Sequence, residues 1–282
     1  MTSISGKTVF ITGAAGGIGL EIARSFAAHG ANVMMSDIDG DALELAAAKL
    51  KKSHNNVATI QCDVADYDAM QKAAEATIEH FGKVHMVVNN AGVGSGGRTG
   101  SIAMRDWQWV VDINLMGVVN GVEIFTPLME SHGEGGHIIN VASMAGHVSM
   151  AGMAPYHATK FAVVGYSESL LQEMKERGIG VSVLCPAWVK TQIHLSGNDA
   201  PSRAGKEPNP DDPLAQQMKA VIESGMPADI VGEWVADCVE AGRFYIFTHP
   251  DFYDAIAARH KHIAADYQAT KDDPRFAPYK AS

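Results

Sequence analysis

Cysteine, charge and aromatic side chains are all scarce in this chain. Of 282 residues only Cys62, Cys185 and Cys238 are cysteines. They share no close spacing, so neither a disulfide framework nor a zinc site is indicated, and a reduced, cytoplasmic setting is expected. Charged residues make up only 19% against 46% hydrophobic, which excludes a disordered chain. Positive charge is the scarcer sign: 22 Lys and Arg face 32 Asp and Glu, a net charge of −10. That balance argues against nucleic acid or an anionic membrane as partner. No targeting or membrane segment stands out. The apolar run over residues 8–12 is too short for a signal-peptide core. The longest uncharged stretch, residues 135–159, contains Asn140, Ser143, His147, Pro155 and several glycines, which makes lipid burial costly. Polarity without charge fits the wall of an active site instead. Twelve histidines are present, but His132, His137, His147 and His157 lack paired-ligand spacing, so no metal is expected.

The length fits one α/β domain over residues 1–282, since such folds often run to about 250 residues, and a chain of this size buries roughly three quarters of its unfolded surface. Short β-rich runs at 7–12, 32–36, 57–62, 84–89, 137–142, 180–185 and 244–248 alternate with helical patterns at 17–28, 41–52, 66–81, 105–131, 155–177 and 228–241. The alternation predicts a doubly wound parallel sheet of about seven strands with helices on both faces. Two regions depart from it. Residues 194–226 read as a long polar loop rich in proline, and a loop of that length in a compact domain is usually functional; it is expected to be the substrate-loop region. Residues 251–282 form a C-terminal extension, helical over 255–267, which reads as a surface or oligomer-packing element.

Thr12-Gly13-Ala14-Ala15-Gly16-Gly17-Ile18-Gly19 lies between the first strand and the first helix. Glycines there let a phosphate approach the backbone, and the helix N-terminus offers N–H groups to an anion. Asp37 ends the second strand 18 residues after Gly19, where a carboxylate accepts both ribose hydroxyls of an adenine nucleotide. The same carboxylate repels a 2′-phosphate, and Ile38 beside it is no arginine, so NAD is expected rather than NADP. Tyr156 and Lys160, four apart, stack on one helix face. A free phenol, with a pKa of about 10, is too weakly acidic to serve as base at neutral pH; a nearby lysine cation and an oxidised nicotinamide would lower that value. Ser143 falls 13 residues earlier, at the carboxyl end of the fifth strand, where ligands sit in open α/β sheets.

These residues together resemble the single-domain branch of the short-chain dehydrogenase/reductase family, closely over residues 6–192 and loosely to about 248. The resemblance implies roles for further positions. Asn89-Asn90-Ala91-Gly92 matches the element that supports the sheet, with Asn90, Ala91 and Gly92 at the adenosine site. Asp63 and Val64 match the adenine contacts, and Gly13, Gly16, Gly17, Ile18 and Gly19 the phosphate turn. Asn114 matches the asparagine that bends the long helix and holds a relay water, so the implied catalytic set is Asn114, Ser143, Tyr156 and Lys160. Pro186, Val189 and Thr191 match the element that touches the nicotinamide amide. Many members have Pro-Gly where this chain has Pro186-Ala187-Trp188. The segment 244–253 and the helix after it also resemble bacterial dehydrogenases of lignin-type aryl-ether benzylic alcohols.

The implied function is hydride transfer between NAD and a secondary alcohol or ketone. Met144, Met150, Met153 and Trp188 suggest an apolar or aromatic substrate, with Ser143, Met150, Met153 and Trp188 lining its pocket. The competing reading, a non-catalytic NAD-binding sensor or scaffold, gives no reason to keep the proton-relay set; chemistry on an imine or enoyl bond fits the tyrosine spacing less well. Helices at 105–131 and 155–177 carry Val110-Val111, Val118-Val119 and Val163-Val164, apolar on more than one face, so a homotetramer is expected, or else a dimer.

Overall fold

The strands are uniformly apolar because each is covered on both sides. Along β1 (Thr8–Thr12) Val9 and Ile11 point into one core layer and Phe10 into the other, all fully buried. The computed structural model describes residues 3–205 and 213–279. Within it β1, β2 (Asn32–Asp37), β3 (Val57–Gln61), β4 (Met86–Asn89), β5 (Gly136–Val141), β6 (Ile179–Cys185) and β7 (Tyr245–Phe247) form one parallel sheet, in the order β3-β2-β1-β4-β5-β6-β7. The order reverses between β1 and β4, which opens a crevice at their carboxyl ends. The doubly wound architecture expected from the alternation is the one found.

One face is covered by α1 (Gly17–Ala28), α2 (Gly40–Leu50) and α8 (Ala228–Glu240), through Ile22, Phe26, Leu43, Val231 and Val235. Gly232 lets α8 press onto α1: a Cβ there would lie 2.4 Å from the Glu21 carbonyl oxygen. The other face carries α3 (Tyr67–Phe81), α5 (Gly117–Ser131) and α6 (Ala154–Met174), with Phe10 and Phe125 stacked at 4.6 Å between ring centres. Burying a Phe side chain fully contributes about 2–3 kcal/mol. Asp39 and Asp66 cap α2 and α3, accepting the Ala42 and Ala69 N–H groups at 3.0 Å, as aspartates at that position commonly do. The first turn of α1 has no side-chain cap.

Three expectations are refined. The long helix is α4 (Met104–Val111), a π-turn over Asp112–Met116 and α5, so it bends around Asn114. The run Met104–Ser131 is long and apolar enough to cross a membrane, yet Val118, Val122, Phe125 and Met129 bury it against the body. Residues 194–226 are not a bare loop: 3₁₀ turns occupy Ile193–Asp199 and Pro201–Arg203, and Pro213–Glu223 is a helix, α7. Pro213 opens that helix, at the one end where proline suits it, and Ile222 is buried; residues 206–212 lie outside the described residues. The extension is more helical than expected, α9 running over Tyr253–Asp272 with a 3₁₀ turn at Pro274–Tyr279.

Candidate active site

The glycine turn joins β1 to α1 at the crevice. Gly13 has φ +63°, and a Cβ there would lie 2.9 Å from Ala91 Cα and from Asn90 Nδ2; at Gly19 a Cβ would lie 2.2 Å from the Gly13 oxygen. Side chains are thus excluded where the turn is tied down. Around Gly16 nothing lies within 4 Å of such a Cβ, so the turn leaves open space in front of the uncapped N-terminus of α1. Thr191 closes the far side, its Cγ2 3.1 Å from the Cβ position of Gly17. The Asn90 amide donates to the Thr12 and Gly13 carbonyls at 2.9 and 3.0 Å. The Thr12 hydroxyl accepts the Asn90 and Ala91 N–H groups at 2.9 and 3.0 Å. Asp37 accepts the Ala15 N–H on Oδ2 at 3.0 Å and the Asp39 N–H on Oδ1 at 3.1 Å, which aims its carboxylate beside the turn. Asp63 and Val64 follow β3, and Asn120 donates to the Val64 carbonyl at 2.9 Å. An open anion cradle flanked by a fixed carboxylate fits a dinucleotide without a 2′-phosphate.

Ser143, Tyr156, Lys160 and Asn114 converge beside this cradle. Ser143 lies two residues past the carboxyl end of β5 and starts a 3₁₀ turn; its Oγ accepts the Ala145 N–H at 3.0 Å and its hydroxyl donates to the Pro186 carbonyl at 3.2 Å. Ser143 lies close enough to Tyr156 to favour its phenolate, acting against the effect of burial. Lys160, 3% exposed, donates to the Val141 carbonyl at 2.8 Å and holds its Nζ 5.7 Å from the Tyr156 ring centre. Asn114, fully buried at the π-turn, exchanges two hydrogen bonds with the Val93 backbone, at 2.8 and 2.9 Å. Gly92 keeps the gap between Asn114 and Lys160 clear: a Cβ on it would sit 3.3 Å from Asn114 Oδ1 and 3.6 Å from Lys160 Nζ.

Burial lowers the Lys160 pKa to about 8, because the cation is desolvated. Burial also raises that of Tyr156, outweighing the opposing effect of Ser143. The sequence led us to expect a depressed phenol; the chain's own groups do not produce one, since desolvation of the phenolate dominates.

On the substrate side, Met150 is 52% exposed and Met153 and Trp188 are half-buried, whereas Met144, at 2%, packs into the core with Val163 and Val183. Met144 therefore drops out of the expected apolar lining. His147, in the same segment, has its Nε2 3.3 Å from Cys185 Sγ and its ring against Tyr245 and Phe247. Val189 pairs with Met226 across a bridge, so residues 186–191 and the end of the 194–226 segment are joined. Ser196 accepts the Gly94 N–H at 2.8 Å. Asp106 accepts the backbone N–H and hydroxyl of Ser202 at 2.9 and 2.6 Å, so this segment is fastened at two further points. The sequence reading missed Thr12, Asp106 and Ser202 as parts of the site and of the segment fastened beside it. Thr12 was findable as the small polar residue entering the glycine turn; the other two form a distant pairing without a local signal. Among the described residues His85, His132 and Glu134 lie close enough to hold a cation, at the opposite end of the sheet. Both ring nitrogens of each histidine are already engaged and Lys7 and Lys83 put two positive charges on Glu134, which suits an ion-pair network and not a metal.

The family model described as short chain dehydrogenase matches residues 7–201. The chain is similar to the CLA biosynthesis dehydrogenase/reductase of Lactiplantibacillus plantarum, 34% identical over 277 residues, which cover 94% of this chain and 96% of that one. It is similar to the crystal structure of a short chain dehydrogenase/reductase from Burkholderia phymatum in complex with NAD, with a TM-score of 0.89 and 35% identity over 94% of this chain and 97% of that one. The C alpha-dehydrogenase of Sphingobium sp. strain SYK-6 is 29% identical over 276 residues, 97% of this chain and 90% of that protein. That similarity runs along nearly the whole chain, the C-terminal segment included.

Proposed function

The chain belongs to the short-chain dehydrogenase family, and from that premise we propose that it is an NAD-dependent dehydrogenase or reductase of secondary alcohols and ketones, apolar or aromatic. The observation that carries this reading is the convergence of Ser143, Tyr156 and buried Lys160 beside the open glycine cradle. A chain that only sensed NAD gains nothing from burying an ammonium group next to a phenol.

In this reading the residues from Gly13 to Gly19 hold the pyrophosphate, Asp37 the adenosine ribose, Asp63, Val64 and Asn90–Gly92 the adenosine, and Pro186, Val189 and Thr191 the nicotinamide amide. Asp37, followed by the exposed Ile38, favours NAD over NADP. When bound, the nicotinamide supplies the hydride acceptor or donor. Tyr156 Oη takes or returns the hydroxyl proton of the substrate, and Ser143 hydrogen-bonds the same oxygen. Lys160 holds the nicotinamide ribose and, as a cation, stabilises the phenolate against the cost of burial; Asn114 keeps a route from Lys160 to water. Met150, Met153 and Trp188 give the substrate an apolar wall. The resemblance of segment 244–253 to dehydrogenases of benzylic alcohols favours a benzylic alcohol among the candidates.

The test is absorbance of reduced nicotinamide, with NAD or NADP and a panel of aryl, steroid, alicyclic and sugar alcohols. Turnover with NAD on an aryl or alicyclic alcohol, lost in Tyr156→Phe while NAD still binds, is the expected result. A sugar preference overturns the apolar wall, and near-normal turnover in Tyr156→Phe overturns the assignment. A homotetramer, or else a dimer, in the cytoplasm belongs to the same proposal; the assembly is supported by Met104, Met116 and the part of α9 beyond Arg259, which are left exposed in one chain, and a monomer by light scattering would refute it.

A further inference from the structure

Pro186 and Ala187 follow β6, and the peptide unit between them is gripped at both ends. Its carbonyl oxygen accepts the Ser143 hydroxyl at 3.2 Å and the Met144 N–H at 2.8 Å. Its N–H donates to Nδ1 of His249 at 3.3 Å. The other nitrogen of that ring, Nε2, lies 3.1 Å from the Trp188 carbonyl oxygen, which also accepts the Met226 N–H at 2.8 Å. An acceptor at Nδ1 and a donor at Nε2 define one neutral tautomer. The Thr248 hydroxyl, 2.7 Å from Nδ1, and the edge of Phe252 hold the ring in place.

A peptide unit is rigid and planar, so whatever fixes its N–H also aims its carbonyl. We infer that His249 is a positioning residue of the active site: through the Pro186–Ala187 peptide it sets the oxygen on which the Ser143 hydrogen rests, and through Trp188 it fixes the nicotinamide-side turn and the docking of Met226. His249 reaches no reacting atom in this scheme. Its effect comes from geometry, in a region where a displacement of about 1 Å can cost about 100-fold in rate. The signal was invisible in the sequence because His249 lies 62 residues from Ala187.

This inference rests on the reading of Ser143 as the group that hydrogen-bonds substrate oxygen, so the experiment separates the two. In the full chain, His249→Ala is compared with His249→Gln, whose amide offers one acceptor and one donor. His249→Ala is expected to lower kcat about tenfold and raise the KM for NAD a few-fold, and His249→Gln to recover most of both. In a Ser143→Ala background the kcat effect of His249→Ala should largely vanish, because coupled residues are not additive. Hydrogen exchange supplies a readout independent of substrate: the Ala187 amide should lose protection in His249→Ala and keep it in His249→Gln. Unchanged exchange at Ala187, an equal kcat loss with and without Ser143, or a loss that glutamine fails to rescue would each overturn the inference. Failure of the enzymatic reading shows separately, as turnover surviving in Tyr156→Phe.

Discussion

The two ends of the sheet hold the same kinds of side chain and use them oppositely. At the carboxyl ends of the strands lie Asp37, Ser143, Tyr156 and Lys160; at the amino ends lie Lys7, Lys83, His85, Glu134 and His137. Both ends contain titratable groups displaced by burial, upward for Tyr156 and downward for Lys160, His85 and His137. At the amino end the partners are all internal. His85 lies between the Thr8 N–H and Glu134, and His137 meets the Ser182 hydroxyl, which donates to the Arg243 carbonyl. At the carboxyl end the same chemistry is left open, as an uncapped helix start in front of a glycine cradle and a buried cation directed at a phenol. A displaced pKa therefore marks a functional group only where the geometry leaves it something to act on.

The strongest way to break that comparison is to remove a lysine from each end. Lys160→Met is expected to reduce turnover by about 10³, within the range for loss of a group that sustains acid–base catalysis. It should also raise Tm by several degrees. Burial holds Lys160 near 8 against an ordinary 10.5, so the folded protein carries a cation at a cost on the order of 3 kcal/mol at neutral pH, and methionine removes that cost. Lys83→Met, at the exposed end, should leave rate untouched. Initial rates and calorimetric melting decide it; a rate loss in both variants would erase the distinction between the ends.

Two glycines sharpen the same point. Gly19→Ala places a Cβ 2.2 Å from the Gly13 oxygen, and Gly180→Ala places one 2.4 Å from His137 Nδ1. Each overpacks a tight site, a change that typically costs 1–3 kcal/mol. Only Gly19→Ala should also weaken NAD, by more than tenfold in Kd, because the cradle itself deforms. Titration calorimetry beside a thermal melt gives both numbers; equal Kd losses would mean that the cradle is not where NAD binds.

The contrast also explains what the sequence disclosed. The sheet was legible because strand and helix periods alternate cleanly, and the cradle and the Tyr156–Lys160 pair because their parts are close in sequence and lie on defined elements. Met144 was misread because position between Ser143 and Tyr156 does not specify side-chain direction; a 3₁₀ turn sends it into the core. The helix α7 hid behind its prolines. Asp106–Ser202 and His249–Ala187 depend on distant segments meeting, and no local pattern encodes such a meeting.

Acid should unfold the protein from the end that does no chemistry. Burial lowers the His137 pKa to about 4 from an ordinary 6.5. Above 6.5 the imidazole is neutral folded or unfolded, so it has no effect on stability there. As pH falls from 6.5 to 4 the unfolded chain takes up a proton that the folded chain refuses, and about 3 kcal/mol of stability is lost. His85, also lowered by burial, acts with the same sign. Denaturant titrations between pH 7 and 4 should show this slope, reduced in His137→Gln. An undiminished slope in that variant would place the acid sensitivity elsewhere.

The smallest effect is expected at Glu134, despite its many partners. Hydrogen bonds from Lys83 first, then His85 and Lys7, hold its carboxyl well below the usual range. A carboxyl so held stabilises the fold above the ordinary carboxylate range, and that contribution fades as pH falls below it. Yet the side chain is 40% exposed, where water and salt screen ion pairs and isolated pairs contribute little. Glu134→Gln should lower Tm by no more than about 2 °C at low ionic strength, with no difference at 1 M salt, where the Debye length is about 3 Å. Its NAD affinity and turnover should equal those of the parent. A change in turnover would mean that the two ends communicate through the sheet, and the division of labour between them would fall.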